Sequence, residues 1–184
     1  MEQLKQNGAQ ILNLEELANH RGSSFGQLGR SGQPKQRNFE HVIALALQQL
    51  DSSKPIWVEK EGEKIGRLFI PPLLKAQMDQ APGVYLDLPD QQRIQFIDQD
   101  YGQFSEHHLA EAIKRIERQL GRDLTELAVQ FLKAGRFDRS VAILLDYYDQ
   151  VYTFQLEGIN HLDVVELAKH DQLPELAKKL ASTT

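Results

Sequence analysis

Short apolar runs of strand length alternate with amphipathic helical segments through the first half of the chain, and this alternation restricts the fold more than any other feature. Ile11-Leu12-Asn13-Leu14, Pro55-Ile56-Trp57-Val58 and Gly83-Val84-Tyr85-Leu86-Asp87-Leu88 read as strands, with Leu68-Phe69-Ile70 a weaker one. Between the first two, Phe39, Val42, Ile43, Ala46, Leu47 and Leu50 recur at helical spacing and form one apolar face. Pro71-Pro72 opens a further helix to about Gln80, and Pro89 opens one containing Ile94 and Ile97. Strands joined through helices predict an α/β fold with a central, mainly parallel sheet holding strands near 10–14, 55–58 and 83–88. The run from Leu162 to Leu167 fits either a strand or a helix start, and 162–166 is the expected fourth strand.

After Tyr101-Gly102 the pattern becomes helical only. Leu109, Ala112, Ile113, Ile116 and Leu120 make one stripe ended by Gly121. Asp123 with Glu126 starts a second helix through Leu124, Leu127, Ala128 and Phe131, and Asp138 caps a third carrying Val141, Leu144 and Leu145. Three helices on short loops predict a helical insertion over 104–150, packed on the sheet. It divides an α/β core at 1–103 from a return to that core at 151–184, which closes with a helix from Leu173 to Leu180. Residues 2–7, followed by Gly8, read as the last turns of a helix.

Composition excludes several classes of function. The chain of 184 residues carries a net charge of −5, so a nucleic acid must be met by a local basic patch rather than by the whole molecule. The absence of cysteine removes disulfide scaffolds, thiolate metal sites and cysteine nucleophiles. No apolar run approaches the roughly 18–20 residues of a membrane span, and the opening Met1-Glu-Gln-Leu-Lys has no signal-peptide layout. A cytoplasmic protein without a membrane partner is expected. The six histidines form no HExxH pair, which argues against a dedicated metal cage.

Three groups of residues offer chemistry. The loop from His20 to Arg37 holds four glycines, one proline and four Arg or Lys without an acid. In it Arg21, Gly22, Ser23, Ser24 and Gly26 have the parts of an anion cradle: flexible backbone, two hydroxyls and a planar guanidinium. The alternative is a flexible surface loop. It is not a Walker A loop, for no GxxxxGK[ST] string occurs. Glu59 and Glu61 follow a strand directly, where open α/β sheets place ligands; they suit Mg2+ bound through water, or a base, against the alternative of a solvated charged turn. Lys114, Arg115, Arg118 and Arg122 form a basic stripe able to track a phosphate backbone, or an ordinary salt-bridged surface given Glu111. Tyr148 and Tyr152, one turn apart, suit core packing or base stacking.

Leu14-Glu-Glu-Leu-Ala-Asn-His-Arg-Gly-Ser-Ser-Phe-Gly26, Gln33-Pro34 with Phe39-Glu40, Trp57-Val-Glu59-x-Glu61 with Ile65-Gly66 and Pro71, and Leu144-Leu-x-x-Tyr-Tyr-Asp149-x-x-Tyr152 with Gln155-Leu156 together resemble one family. They fall in the order found in the C-terminal domain of bacterial tRNA 2-selenouridine synthase, over most of residues 8–184. The resemblance implies a sheet of P-loop-NTPase type, incomplete at its N-terminus, and action on the wobble 2-thiouridine of tRNA. Its implied co-substrates are geranyl diphosphate, which alkylates the sulfur, and selenophosphate, which supplies the selenium. On that reading Arg21, Gly22, Ser23, Ser24 and Gly26 hold the diphosphate or selenophosphate, Glu59 and Glu61 sit at a Walker-B-like strand end with Mg2+ their possible ion, no cofactor is bound tightly, and the helical insertion faces tRNA.

The sequence departs from that family's pattern in two places. The family's rhodanese domain with its catalytic cysteine, and its Walker A loop, have no counterpart here, and Gly62 and Glu63 stand at the Ser and Arg of a Glu-x-Glu-Ser-Arg stretch. A truncated chain or one part of a split enzyme is therefore expected, with a separate rhodanese or Walker A chain as partner and exposed apolar surface beside Ile11 and Leu14. The competing readings are a non-catalytic tRNA-binding module and, disfavoured by the missing Walker A loop, a small-molecule phosphotransferase.

Overall fold

The structure, a computed structural model, describes residues 1–156, 159 and 161–183, with the backbone alone for Phe154, Gln155 and Thr183. Residues 157, 158, 160 and 184 of the expected return to the core, and the Gln155 side chain of the quoted motif, lie outside the described residues.

Helix α1 (Glu2–Gln6) leads through Gly8, at φ +88°, into strand β1 (Gln10–Leu12). The expected strand stops two residues early because Asn13 caps helix α2 (Leu14–Leu17), its side chain accepting from Glu16 N at 2.9 Å. Helix α3 (Gln36–Gln48) buries Phe39 and Ile43, the centre of the apolar face read from the sequence. Strand β2 (Ile56–Val58) pairs in parallel with β1, setting Trp57 opposite Ile11. A small hairpin of β3 (Lys64–Ile65) and β4 (Leu68–Phe69) then precedes helix α4 (Pro72–Gln80). Gln36 locks this hairpin to α3, its amide donating to Phe69 O and accepting from Phe69 N, both at 2.9 Å.

Strand β5 (Gly83–Asp87) leads to helix α5 (Asp90–Tyr101) and pairs in parallel with β6 (Leu162–Glu166), which resolves the ambiguous segment as a strand. Among the described residues no ladder joins β2 to β5. The sheet expected as one unit is therefore two parallel pairs and a hairpin. A strand pattern specifies burial but not partners; β1 and β2 share a core with α3, whereas β5 and β6 pair across the whole helical region between them.

That region also differs in detail from the expected three helices. The first is broken into α6 (Glu106–Lys114), capped by Ser105, and α7 (Glu117–Leu120). Helix α8 (Arg122–Lys133) begins at Gly121, φ +89°, so Asp123 lies inside the first turn instead of capping it. Helix α9 (Phe137–Leu156) runs unbroken through residue 150. A 3-10 turn (His170–Gln172) and helix α10 (Leu173–Thr183) close the chain, with α10 against α1.

Two cores result. One gathers Leu12, Leu14, Ala18, Phe39, Ile43 and Ile65; the other lies among α6, α8 and α9, with Leu109, Ile113, Leu132 and Leu144. Leu14 is fully buried and Ile11 half-buried, so the apolar surface expected beside them is largely covered. The glycine-rich loop joins the two cores: Ala18, just before it, belongs to the first, and Leu28, within it, to the second.

Candidate functional site

The loop after α2 is held by its own backbone. His20 N donates to Glu15 O at 2.9 Å, Arg21 N to Gly26 O at 3.1 Å, Ser23 N to Arg21 O at 2.8 Å and Gly26 N to Ser23 O at 2.9 Å. Gly22 N donates to the ring Nδ1 of buried His20 at 3.1 Å. Burial, then the charges of Arg30 and Arg115, push the His20 pKa down, so this ring is neutral and structural. Two glycines are required by close approach. A Cβ on Gly26 would stand 2.6 Å from the His20 ring, and one on Gly22, at φ +75°, would stand 2.9 Å from Glu61 Oε1.

These internal bonds change what the cradle offers. The sequence reading gave the anion to backbone N–H groups, yet those of Arg21, Gly22, Ser23 and Gly26 already have acceptors. What remains is Arg21. Its guanidinium lies 5.2 Å from the Tyr101 ring centroid, and its Nη1 is buried without a hydrogen-bond partner, as is Trp57 Nε1 on β2. An unmatched buried donor on a cation is costly, and an anionic acceptor removes the cost.

Tyr148 of α9 clamps the far side of the loop. Its hydroxyl accepts from Ser24 N at 3.3 Å and lies 3.0 Å from Ser24 Oγ, while Arg115 Nη1 reaches Ser24 O at 3.5 Å. Opposite stand three carboxyls. Glu59 accepts from Leu14 N at 3.1 Å, joining the end of β2 to the start of α2. Glu61 donates its proton to Glu15, and the two face each other over Gly22. Burial, followed by repulsion from Glu15 and Glu59, pushes the Glu61 pKa up to about 8. Glu15 and Glu59 are also raised, chiefly by burial. Tyr152, stacked on Tyr148, is pushed up to about 12 by burial, then by Tyr148, Glu61 and Glu15.

Beneath the cradle lies a cavity of about 410 Å3, within the usual size of small-molecule sites. Arg21 and Ser23 are at its polar rim, and its walls come from α5, α6, α8, α9 and the start of α10, with Phe96, Ile113, Leu132, Val141 and Leu145 among them. An apolar chamber bounded by an unmatched guanidinium suits a ligand with an anionic head and a hydrocarbon tail.

With this geometry described, comparison with known proteins is decisive. Residues 2–182 match the family model described as the tRNA 2-selenouridine synthase AAA domain. The chain belongs to this family. Members similar to it include the tRNA 2-selenouridine synthases of Marinobacter nauticus, 33% identical over 79% of this chain and 48% of that protein, and of Aeromonas salmonicida, 34% identical over 80% and 48%. The enzyme of a Sulfurovum species is 32% identical over 79% and 48%. The chain spans about half the length of these curated relatives. No solved structure matches it.

The family's AAA domain in this chain thus brings together Arg21, Gly22, Ser23, Ser24, Gly26, Glu59, Glu61 and Arg115. It does not bring Lys114, Arg118 or Arg122 to the same place. Lys114 pairs with Glu111 at 3.0 Å, Arg122 with Glu126 at 2.7 Å, and Arg118 is exposed on α7. The helix break after Lys114 turns Arg115 to the loop and splits the expected stripe. Sequence reasoning missed Glu15, Tyr101 and the cavity. Glu15 lies inside the motif that carried the resemblance, five residues before His20 on the capped turn, and that proximity was the available signal. Among the described residues no helix is long and apolar enough to cross a membrane.

Proposed function

We propose that this chain binds geranyl diphosphate and alkylates the wobble 2-thiouridine of tRNA within the 2-selenouridine pathway, on a domain of P-loop-NTPase descent. The observation that carries this reading is the apolar cavity bounded by Arg21, whose Nη1 lacks an acceptor. The ten-carbon tail fills the cavity, and the diphosphate takes Arg21 and the hydroxyls of Ser23 and Ser24. In the transfer, the thiouridine sulfur attacks the first carbon of the geranyl group. The bond from that carbon to the diphosphate oxygen breaks, diphosphate leaves, and the N3 proton of the uracil passes to the Glu15–Glu61 pair. Exchange of the alkylthio group for selenium from selenophosphate is then a step of the whole enzyme, for which a rhodanese or Walker A segment supplied by another chain is the proposed partner.

Mg2+ fits the carboxyl side of this site. Glu15 and Glu61 offer hard oxygens in contact, and Mg2+ is ordinarily held by one or two carboxylates with the substrate's phosphates. When bound, it supplies neutralisation of the leaving diphosphate. No group of three or more metal-binding side chains occurs among the described residues, so the ion fits as an arrival with the diphosphate.

Calorimetric titration with geranyl diphosphate and with inorganic pyrophosphate tests the reading. Burial of four of the ten carbons is worth about 3 kcal/mol, so geranyl diphosphate binds about 100-fold more tightly than pyrophosphate. Arg21→Ala weakens both ligands alike, whereas Leu145→Trp, which fills the cavity, removes only the tail's share. Equal affinity of wild type for the two ligands would overturn the proposal.

A further inference from the structure

A second cavity, of about 800 Å3, adjoins the first, and Leu88, Arg93 and Tyr152 line both. It opens at the carboxyl ends of β5 and β6, where Asp87 and Glu166 close the two strands, and this is where open α/β sheets receive ligands. The two cavities differ in chemistry. The first is hydrocarbon; the second holds Asp87, Asp90, Asp149, Glu166, Tyr85 and Thr153.

Arg93 neutralises part of this charge. Its Nη1 donates to Asp149 Oδ2 at 2.8 Å and to Asp90 Oδ1 at 3.3 Å. Asp87 and Glu166 have no ion-pair partner among the described residues, and they are direct neighbours in the parallel ladder. Like charges side by side on paired strands destabilise the pair. Both also stand at the mouth of a chamber large enough for a nucleoside, and nothing in the fold uses them. Two adjacent carboxylates accept hydrogen bonds from a vicinal diol, as an acidic residue does from ribose in dinucleotide sites.

The order of groups along α9 relates the two chambers. Val141, Leu144 and Leu145 face the apolar cavity, Tyr148 clamps the cradle, and Asp149, Tyr152 and Thr153 face the acidic chamber. A ligand in the second chamber therefore lies beyond the diphosphate cradle, separated from it by Tyr152, which also stands near Glu61 and Glu15. Its acidic walls repel diphosphate and RNA phosphates but admit a neutral base and its sugar, so the two substrates sort by charge.

We propose that this second chamber receives the acceptor nucleoside, its ribose hydroxyls donating to Asp87 and Glu166 and its ring against Tyr85 and Tyr152. The assignment of this nucleoside as the alkyl acceptor rests on the alkyl-transfer reading above; its binding does not. The test uses the full chain and two probes, 2-thiouridine and 2-thio-2′-deoxyuridine, titrated with and without geranyl diphosphate. Wild type prefers the ribonucleoside about tenfold, the effect of one hydrogen bond to a charged group. Asp87→Asn combined with Glu166→Gln abolishes the preference and weakens ribonucleoside binding about tenfold, while geranyl diphosphate affinity is unchanged. Removing the like-charge neighbours raises the melting temperature, so lost binding is not lost folding. Equal binding of the two probes by wild type, or an unaltered preference in the double variant, overturns the proposal. A carboxylate-dependent ribose preference in a protein that fails to bind geranyl diphosphate supports the chamber and overturns the alkyl-transfer reading instead.

Discussion

Replacing Glu61 with glutamine isolates the electrostatics of the carboxyl trio. In the folded protein Glu61 holds its proton up to about pH 8, while the unfolded chain releases it near 4.5. Between these values the native state binds the extra proton, so the Glu61 contribution to stability falls as pH rises and levels off above about 8. The full interval at about 1.4 kcal/mol per unit sets an upper bound of about 5 kcal/mol; partial solvent access to this half-buried group reduces it to roughly 2–3 kcal/mol. Glu61→Gln keeps a donor toward Glu15 and removes the titration. The variant therefore matches wild type near pH 5 and exceeds it by roughly 2–3 kcal/mol at pH 8.5, or about 5–10 °C in melting temperature for a chain of this size. Paired thermal melts from pH 5 to 9 measure the difference, and taking wild type and variant together cancels most background titration. A difference independent of pH, or one that shrinks toward alkaline pH, would refute the shared-proton arrangement. The same sign applies to binding: without Mg2+, pyrophosphate affinity falls as pH rises through about 8, because the neighbouring dyad gains a negative charge.

Two further outcomes follow from named contacts. Tyr148→Phe removes the clamp on Ser24, lowering stability by about 1 kcal/mol in urea unfolding and weakening pyrophosphate several-fold; unchanged anion affinity would leave Tyr148 a packing residue only. Arg118→Glu with Arg122→Glu preserves the fold and flattens the salt dependence of tRNA binding by about 0.9 for each cation that contacts a phosphate, measured by salt titration, and an identical slope would remove α7 and the start of α8 from the tRNA surface.

Much of this protein was legible in its sequence because the signals concerned were local. The helix from residue 36 follows from the spacing of Phe39 and Ile43, and α4 from prolines placed where a first turn tolerates them. The composition of the HRGSSFG loop marked it as a site, and the family followed from motifs whose order survives in the chain. The break between α6 and α7 was not legible, since the apolar stripe from Leu109 to Leu120 continues across it.

Tertiary structure alone decided which of those local parts act together. Periodicity identified four strands but not their partners, because a strand's pattern records that it is buried and not what lies beside it; the division into β1–β2 and β5–β6 depends on contacts across some 45 to 80 residues. The glycine loop carried its donors openly in the sequence, yet only folding showed them consumed by neighbouring carbonyls, leaving Arg21 Nη1 as the unmatched group. Glu15 and Glu61 come from different segments, and their shared proton exists only because the fold presses both against Gly22 in a site partly closed to water. The cavity has the same origin: each of its walls is an ordinary amphipathic helix, and an enclosed volume is a property of how helices are arranged, which no single helix encodes.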